Sequence, residues 1–396
     1  MRGLQVLRSA VVAGLLVAVG AAACSTATLR VGQFNIQELS TAKLLETGPD
    51  GAGANPQVLA AAAIIQEIRP DILIVNEIDH DLAADDLALN ARRFVDLYLN
   101  RGERAIDYPH VFAAPCNTGR PSGVDLNGDG HVATAEDEGG RDYGGDCFGF
   151  GNYPGQYSMA VLSRYPLEAD SARSWQTFRW ADLPDNLIPP DWFSPAALAV
   201  FRLSSKSHWD LPVRVPAPSG DVRLHLLVSH PTPTGYDGPE DLNGRRNYDE
   251  LRLWAHILDD DRVPVDDAGR RGGLAAGERF VIGGDLNADP GGDVLPTGRR
   301  SIAQLLEHPR VQDCGPLMTS AGALQGRAAG PPDFVERRTA AWPGGGVRID
   351  YLLPSRGLTP VAGGVYWPDP AVDPAGAARA ALASDHRMTW LDLRLD

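Results

Sequence analysis

The sequence predicts an α/β fold in which two β-sheets pack face to face with helices outside them. Three observations carry this. Short apolar runs of strand length recur from residue 28 to residue 395, with helix-patterned segments interspersed among them. A chain of 396 residues that is 43% hydrophobic has enough apolar material for a large core. Its 43 glycines and 31 prolines supply turns and long surface loops. Nothing repeats at a fixed period.

Taken in order, Thr28–Ile36 reads as a first strand with Leu29, Val31 and Phe34 roughly alternating. Asn55–Ile68 is Ala-rich, has helical periodicity and stops before Pro70. Asp71–Val75 (DILIV) is a continuous apolar run, as in a strand buried on both faces. Ala84–Asn100 reads as a helix. Pro115–Tyr157 then turns rich in Gly and Asp and poor in aliphatic residues, which marks an insertion. Strand-like segments resume at Ser158–Ser163, Leu198–Leu203, Val222–Ser229, Arg279–Ile282, Val347–Leu353 and Met388–Leu395, and Arg246–Leu258 reads as a helix. Several strands are expected to be antiparallel neighbours, and two sheets between helices fit this order.

The N-terminus has an export layout. Arg2 and Arg8 precede an apolar stretch, Val11–Ala23, that ends in small residues and is too short for a good transmembrane helix. Residues 1–23 are therefore expected to be a signal peptide and 24–396 a single domain carrying the 115–157 insertion. Ala21-Ala22-Ala23-Cys24 resembles a bacterial lipobox, so Cys24 is a candidate for lipidation. Cell-envelope lipoprotein and secreted protein both stay open. Export permits disulfides; Cys116 and Cys147 bracket one loop-like segment and are expected to pair, leaving Cys314 as a buried free thiol. A net charge of −15 and a pI near 5.0 argue against a non-specific nucleic-acid binder. A bound divalent cation or a local Arg cluster can reverse the field at one cleft. No sign of oligomerisation is present, and a monomer is expected.

The chemistry-bearing residues stand at strand ends. Glu77 follows DILIV, Ser229-His230 follows RLHLLV, Asp285 and Asn287 follow FVIGG, Asp350 lies in VRIDYLL, and Asp385-His386 precede the last strand. Such placement suggests side chains converging on one edge of the sandwich, with Asp285 and Asn287, two apart, pointing the same way. Phosphate ester hydrolysis calls for this set. Carboxylates hold a hard cation that neutralises the phosphate. A carboxylate-oriented His handles a proton near neutral pH, and amides donate to phosphate oxygens without adding negative charge. Each residue also has a plain structural alternative: a turn at 285–289, a surface or capping acid at Glu77, an ion pair of Asp350 with Arg348, a satisfied His230 ahead of Pro231, a strand-end cap at Asn35.

Six motifs in order resemble those of the endonuclease/exonuclease/phosphatase superfamily, of the deoxyribonuclease-like kind: Asn35 in QFNI, Glu77 in RPDILIVNEID, Ser229-His230, Gly284-Asp285-Leu286-Asn287, Arg348-Ile349-Asp350-Tyr351, and Ser384-Asp385-His386. The resemblance runs over nearly the whole mature chain. It implies a four-layer α/β sandwich of two mixed, mainly antiparallel sheets between helices, and hydrolysis of a phosphate ester with Mg²⁺ or Mn²⁺. It also implies site roles. Glu77 would ligate the ion, with Asn35 close by and Asp385 sharing it. Asp285 would position or activate water, and Asn287 would bind a phosphate oxygen. His386, held by Asp350, would be the catalytic imidazole, as base or as cation, and His230 would contact the phosphate or assist the leaving group.

Two other segments stand out. Asp125, Asn127, Asp129, His131 and Glu136 fit the calcium loop of an EF-hand, with Gly130 at the sharp turn and no flanking helix pair; a structural Ca²⁺ is expected there. Lys206, His208 and Trp209 lie between strands and can meet a phosphate or a ring, or simply pack. Arg245 and Arg246 open a helix and can bind phosphate or pair with nearby acids. The functional expectation is an exported metal-dependent phosphoesterase, a phosphodiesterase or nuclease first. A phosphomonoesterase or hydrolase of inositol phosphates or phospholipid head groups comes second. An inert calcium-binding surface protein is the competing class. Partners are a phosphate-ester substrate, with nucleic acid among the candidates, and a membrane only through an N-terminal lipid.

Overall fold

A computed structural model of the chain describes residues 28–395 apart from 219, 293, 326–334 and 343–344. The apolar leader and Cys24 lie outside the described residues. Strands β1 (Thr28–Leu39), β2 (Ile72–Ile78), β3 (His110–Phe112) and β4 (Met159–Ser163) join β12 (Thr359–Val365) and β13 (Thr389–Arg394) in one sheet, in the order β12-β13-β1-β2-β4-β3. The second sheet, in the order β11-β8-β7-β6-β5, is built from β5 (Arg173–Ser174), β6 (His208–Val215), β7 (Val222–Ser229), β8 (Phe280–Asp285) and β11 (Asp350–Pro354). A small hairpin pairs β9 (Ala340–Trp342) with β10 (Gly345–Val347). Both large sheets are mixed: β1–β2 and β7–β8 are parallel, and the other pairings are antiparallel.

Burial explains the layers. Along β2, Ile72 and Ile74 enter a core with Trp209, Leu211, Leu226, Val281 and Leu352 of the facing sheet. Their neighbours Leu73 and Val75 enter another core with the helix Pro56–Ile68. Period-two alternation thus buries both faces of one short strand. On the far side of the second sheet, Leu227, Phe280, Ile282 and Tyr351 pack against Leu251, Trp254 and Leu258 of the helix Leu242–Leu258. The result is helices, sheet, sheet, helices.

Local chemistry overrides some pattern-based expectations. Leu198–Leu203 is not a strand: Pro195–Val200 forms a short helix because Pro195 starts it and the Ser194 side chain accepts from Ala197 N. The helix expected over Ala84–Asn100 is shorter, Leu89–Phe94, and runs into a π-turn at Val95–Leu99. The helix expected from Arg246 begins at Leu242. The expected Cys116–Cys147 disulfide is absent. Both thiols are free and buried, Cys116 Sγ against Thr118 Oγ1 at 2.6 Å and Cys147 Sγ donating to Tyr143 O at 3.2 Å. Cys314 is a buried free thiol, as expected. No helix among the described residues is long and apolar enough to cross a membrane.

Candidate active site

At one edge of the paired sheets, side chains from distant parts of the chain meet. Asn35 lies on β1 and donates through Nδ2 to Glu77 Oε1 and to Asp285 Oδ2, each at 3.0 Å. Glu77, near the end of β2, holds its second oxygen against Glu38 N at 2.9 Å. Asp285 ends β8. Its backbone N donates to Asn76 Oδ1 at 3.2 Å, and Asp285 Oδ1 accepts from Asn287 N at 3.0 Å. Gly284 is required just before it. Its φ is +153°, and a Cβ there would meet Ser229 O at 2.0 Å.

Two imidazoles face the Asp285 carboxylate, His230 Nε2 at 3.5 Å and His386 Nε2 at 3.7 Å. Their surroundings drive them apart. Burial opposes a charge on His386, yet Asp350, bonded to Nδ1 at 2.9 Å, and Asp285 hold its pKa up, to about 10. Burial, Lys206 and His386 push His230 well below its ordinary value, so it stays neutral. Burial raises Asp285, offset in part by His386. Behind these groups lies an amide network that sequence reasoning missed. Gln33 Nε2 donates to Asp350 Oδ1 at 2.9 Å and to Asn76 Oδ1 at 3.1 Å, and Thr389 Oγ1 donates to Gln33 Oε1. The available signal was an amide in the middle of an apolar strand, since buried amides must be paired. Ser384 ties the His386 segment to β1: its Oγ donates to Asn35 O at 2.7 Å and accepts from His386 N at 3.0 Å.

The profile described as Endonuclease/Exonuclease/phosphatase family matches residues 32–386. The chain belongs to this family. Endonuclease/exonuclease/phosphatase proteins form a superfamily of phosphoesterase- and nuclease-type hydrolases that typically use a divalent metal. Among solved structures, the chain is similar to an endonuclease/exonuclease/phosphatase from Beutenbergia cavernae, at 20% identity over 93% of this chain and 72% of that one, with a TM-score of 0.49. It is also similar to the human Nocturnin catalytic domain with bound sulfate anion (14% identity, 93% and 94% coverage, TM-score 0.44). A truncated Caenorhabditis elegans TDP2 is a further likeness (13%, 93% and 98%, TM-score 0.42). No curated protein matches the sequence.

The donor set fits the divalent metal typical of the endonuclease/exonuclease/phosphatase family. Ligand atoms of Glu77, His230 and Asp285 lie within 4.8 Å of one another, as do those of Asp285, Asp350 and His386. Asn35 Oδ1 and His230 Nδ1 are buried there without a partner. Hard oxygen donors beside unpartnered polar atoms suit a hard divalent cation. Asp385 is in neither cluster. Its carboxylate accepts from Trp342 Nε1 at 3.2 Å and stands 4.0 Å from His386 Nε2. Asn287 gives Nδ2 to Pro231 O at 3.1 Å. From Asn287 a cleft of about 490 Å³ leads past Trp342 and Tyr236, and no Lys or Arg lines it among the described residues.

Among the residues outside the six motifs for which both a phosphate and a structural role were open, Arg246 and His208 are structural. Arg246 is buried and donates to the carbonyls of Leu203, Phe148 and Arg202, stacked on Phe201. His208 is fully buried with both ring nitrogens used, Nδ1 against Ser204 Oγ at 2.6 Å and Nε2 donating to Glu250 O at 2.9 Å. Lys206, by contrast, sits among the site's charges. In the acidic loop, Asp125 accepts from Gly128 N and Gly130 N, Asn127 Oδ1 accepts from Asp129 N, and Asp129 accepts from His131 N. The His131 ring pairs with Asp137, and Glu136 lies in a turn of 3-10 helix capped by Thr134. No three of the loop's acids come within ligand distance of one another among the described residues.

Proposed function

We propose that the protein is a divalent-metal-dependent phosphoesterase that cleaves a P–O bond by in-line attack of water, with phosphodiesters preferred. One observation carries the reading: Asn35 bridges Glu77 and Asp285 while the Asp350–His386 pair presents its free Nε2 to the same Asp285 carboxylate. Glu77 and Asn35 would hold Mg²⁺ or Mn²⁺, with His230 and Asp285 in reach. The bound ion would withdraw charge from the phosphoryl and leaving oxygens. Asp285, tethered by Asn287 N and Asn35, orients the attacking water and takes its proton. His386, charged and fixed by Asp350, donates from Nε2 to a phosphoryl oxygen as negative charge grows there. Neutral His230 contacts the phosphate or leaving group, and Asn287 lies at the mouth of the cleft that would take the substituent.

The cleft bears on the substituent. Its aromatic walls and lack of cations among the described residues, together with the net charge of −15, favour a small or lipid-like ester over a long polyanion. Phosphomonoesters, inositol phosphates and phospholipid head groups are therefore the second reading. An exported setting and calcium at loop 125–136 complete the proposal, supported by the leader and by the sequence pattern of the loop.

The test is turnover of bis(p-nitrophenyl) phosphate, p-nitrophenyl phosphate and a single-stranded oligonucleotide, with and without Mg²⁺. Metal-dependent diester hydrolysis is expected. His386→Ala should lower it about 10²–10⁴-fold, the scale for a positioned acid–base or charge-stabilising group. Turnover of none of the three substrates, or an undiminished His386→Ala enzyme, would overturn the reading.

A further inference from the structure

The chain holds 36 basic residues, of which Lys43 and Lys206 are the only lysines. One of the two is 94% buried: Lys206 has a relative exposure of 6%. Its backbone is pinned. Asn117 N donates to Lys206 O at 2.9 Å. The preceding Ser205 donates from N to Glu250 Oε1 at 2.7 Å and from Oγ to His230 O at 3.2 Å. Glu250 Oε2 accepts from Thr232 N at 2.6 Å, so one buried carboxylate fastens the Lys206 loop to the His230 loop.

The ammonium itself has no such anchor. Among the described residues it makes no hydrogen bond and lies within ion-pair distance of no carboxylate. The charges that act on it are those of Glu250, Glu77 and Asp285, and it opposes protonation of His230. Lys206, next in the chain to the Ser205 that holds the His230 carbonyl, thus lies within electrostatic reach of the Glu77–His230–Asp285 cluster without bonding to any member. A buried ammonium is expensive without a counter-charge, and a compact point charge with three donors suits a phosphate oxygen.

We propose that Lys206 is the fixed cation of the phosphoryl subsite, its ammonium donating to a non-bridging oxygen of the bound phosphate ester. This rests on the phosphoesterase reading above and extends it. Lys206 adds positive charge beside Glu77 and Asp285, so it strengthens anion binding and weakens cation binding at one place. A residue that only packs has no reason to move the two in opposite directions.

The two-lysine composition allows a direct test on the unaltered chain. Protein labelled with ¹⁵N-lysine is titrated with inorganic phosphate in the presence of Mg²⁺, and phosphate binding is followed in parallel by ³¹P NMR. The Lys206 Nζ signal, assigned with Lys43→Arg, should shift along the same saturation curve as phosphorus. Saturable phosphate binding with an unmoved Lys206 signal would overturn the proposal and leave the phosphoesterase reading standing. No phosphate binding together with no turnover would overturn both. A second arm uses Lys206→Met and Lys206→Gln, each checked for folding by circular dichroism. Phosphate affinity should fall about 10–100-fold, while Mn²⁺ affinity without phosphate, read by electron paramagnetic resonance, should rise severalfold. Weakening of both ligands, or a change in neither, counts against the proposal.

Discussion

His386 and His230 sit within 3.7 Å of one carboxylate oxygen, yet one is charged and the other neutral. The difference is Asp350, which touches only His386. Under the proposed function, two titratable groups driven apart in this way would divide the labour at the phosphoryl group: a donor to developing charge and a neutral contact. Burial dominates at His208, which has no carboxylate partner: although its bond to the Glu250 carbonyl favours the charged ring, it is pushed down to about 4. Its folded pKa lies below the ordinary value, so the neutral form belongs to the fold. Stability from this group is intact above about pH 6.5 and declines as pH drops toward 4, where the unfolded imidazole takes a proton that the folded one refuses. An NMR titration should find His208 neutral down to about pH 4; a midpoint near 6.5 would show that the ring is not sealed in. Glu77, Asp285, Asp350 and His386 were legible in the sequence because each interrupts or bounds an apolar run. The sequence left His208 and Arg246 open between a phosphate and a structural role because a polar residue beside a strand looks the same whether its partner is a ligand or a carbonyl. Nothing in the sequence says that Ser204 and the carbonyl of Glu250 occupy both nitrogens of His208.

At the level of elements, the helix Leu242–Leu258 does more than cover a sheet. Leu251, Trp254 and Leu258 bury against it, while Asn247 and Glu250, one turn apart, reach the loops of the site. Asn247 Nδ2 donates to Thr232 O at 2.9 Å and Leu286 O at 3.0 Å, tying the segment after His230 to the segment after Asp285. Asn247→Leu leaves two buried carbonyls unpaired. It should cost about 1–3 kcal/mol of stability and lower kcat although the residue touches no substrate. Thermal unfolding beside steady-state kinetics checks this, and an unchanged Tm with unchanged kcat would remove the bracing role. Sequence periodicity shows the apolar stripe of this helix but not where its polar residues reach, since that depends on loops far away in the chain. The same blindness hid β6, which opens with His208 and carries Pro212, and β12, a half-exposed edge strand with two glycines. The Ala-rich helix Pro374–Ala383 also went unforeseen, although Asp373 caps it and Pro374 starts it.

For the molecule as a whole, the motif order was the strongest signal. Strand-end residues spread from Asn35 to His386 come together because the two sheets pack with their functional ends at one edge. Long-range pairing of β1 with both β2 and β13 puts the start of the chain beside its end. Alternation and strand-end chemistry made that architecture legible. The cation-free cleft and the carbonyl-bound Arg246 were not, because they arise from packing between segments far apart in sequence. The central claim is that these residues gather around one divalent ion and one phosphoryl group. Anomalous diffraction from crystals grown with Mn²⁺ and inorganic phosphate tests it most directly. The account predicts a manganese peak bonded to Glu77 with phosphate between it and His386; manganese absent from that cluster, or bound only at the 125–136 loop, would contradict it.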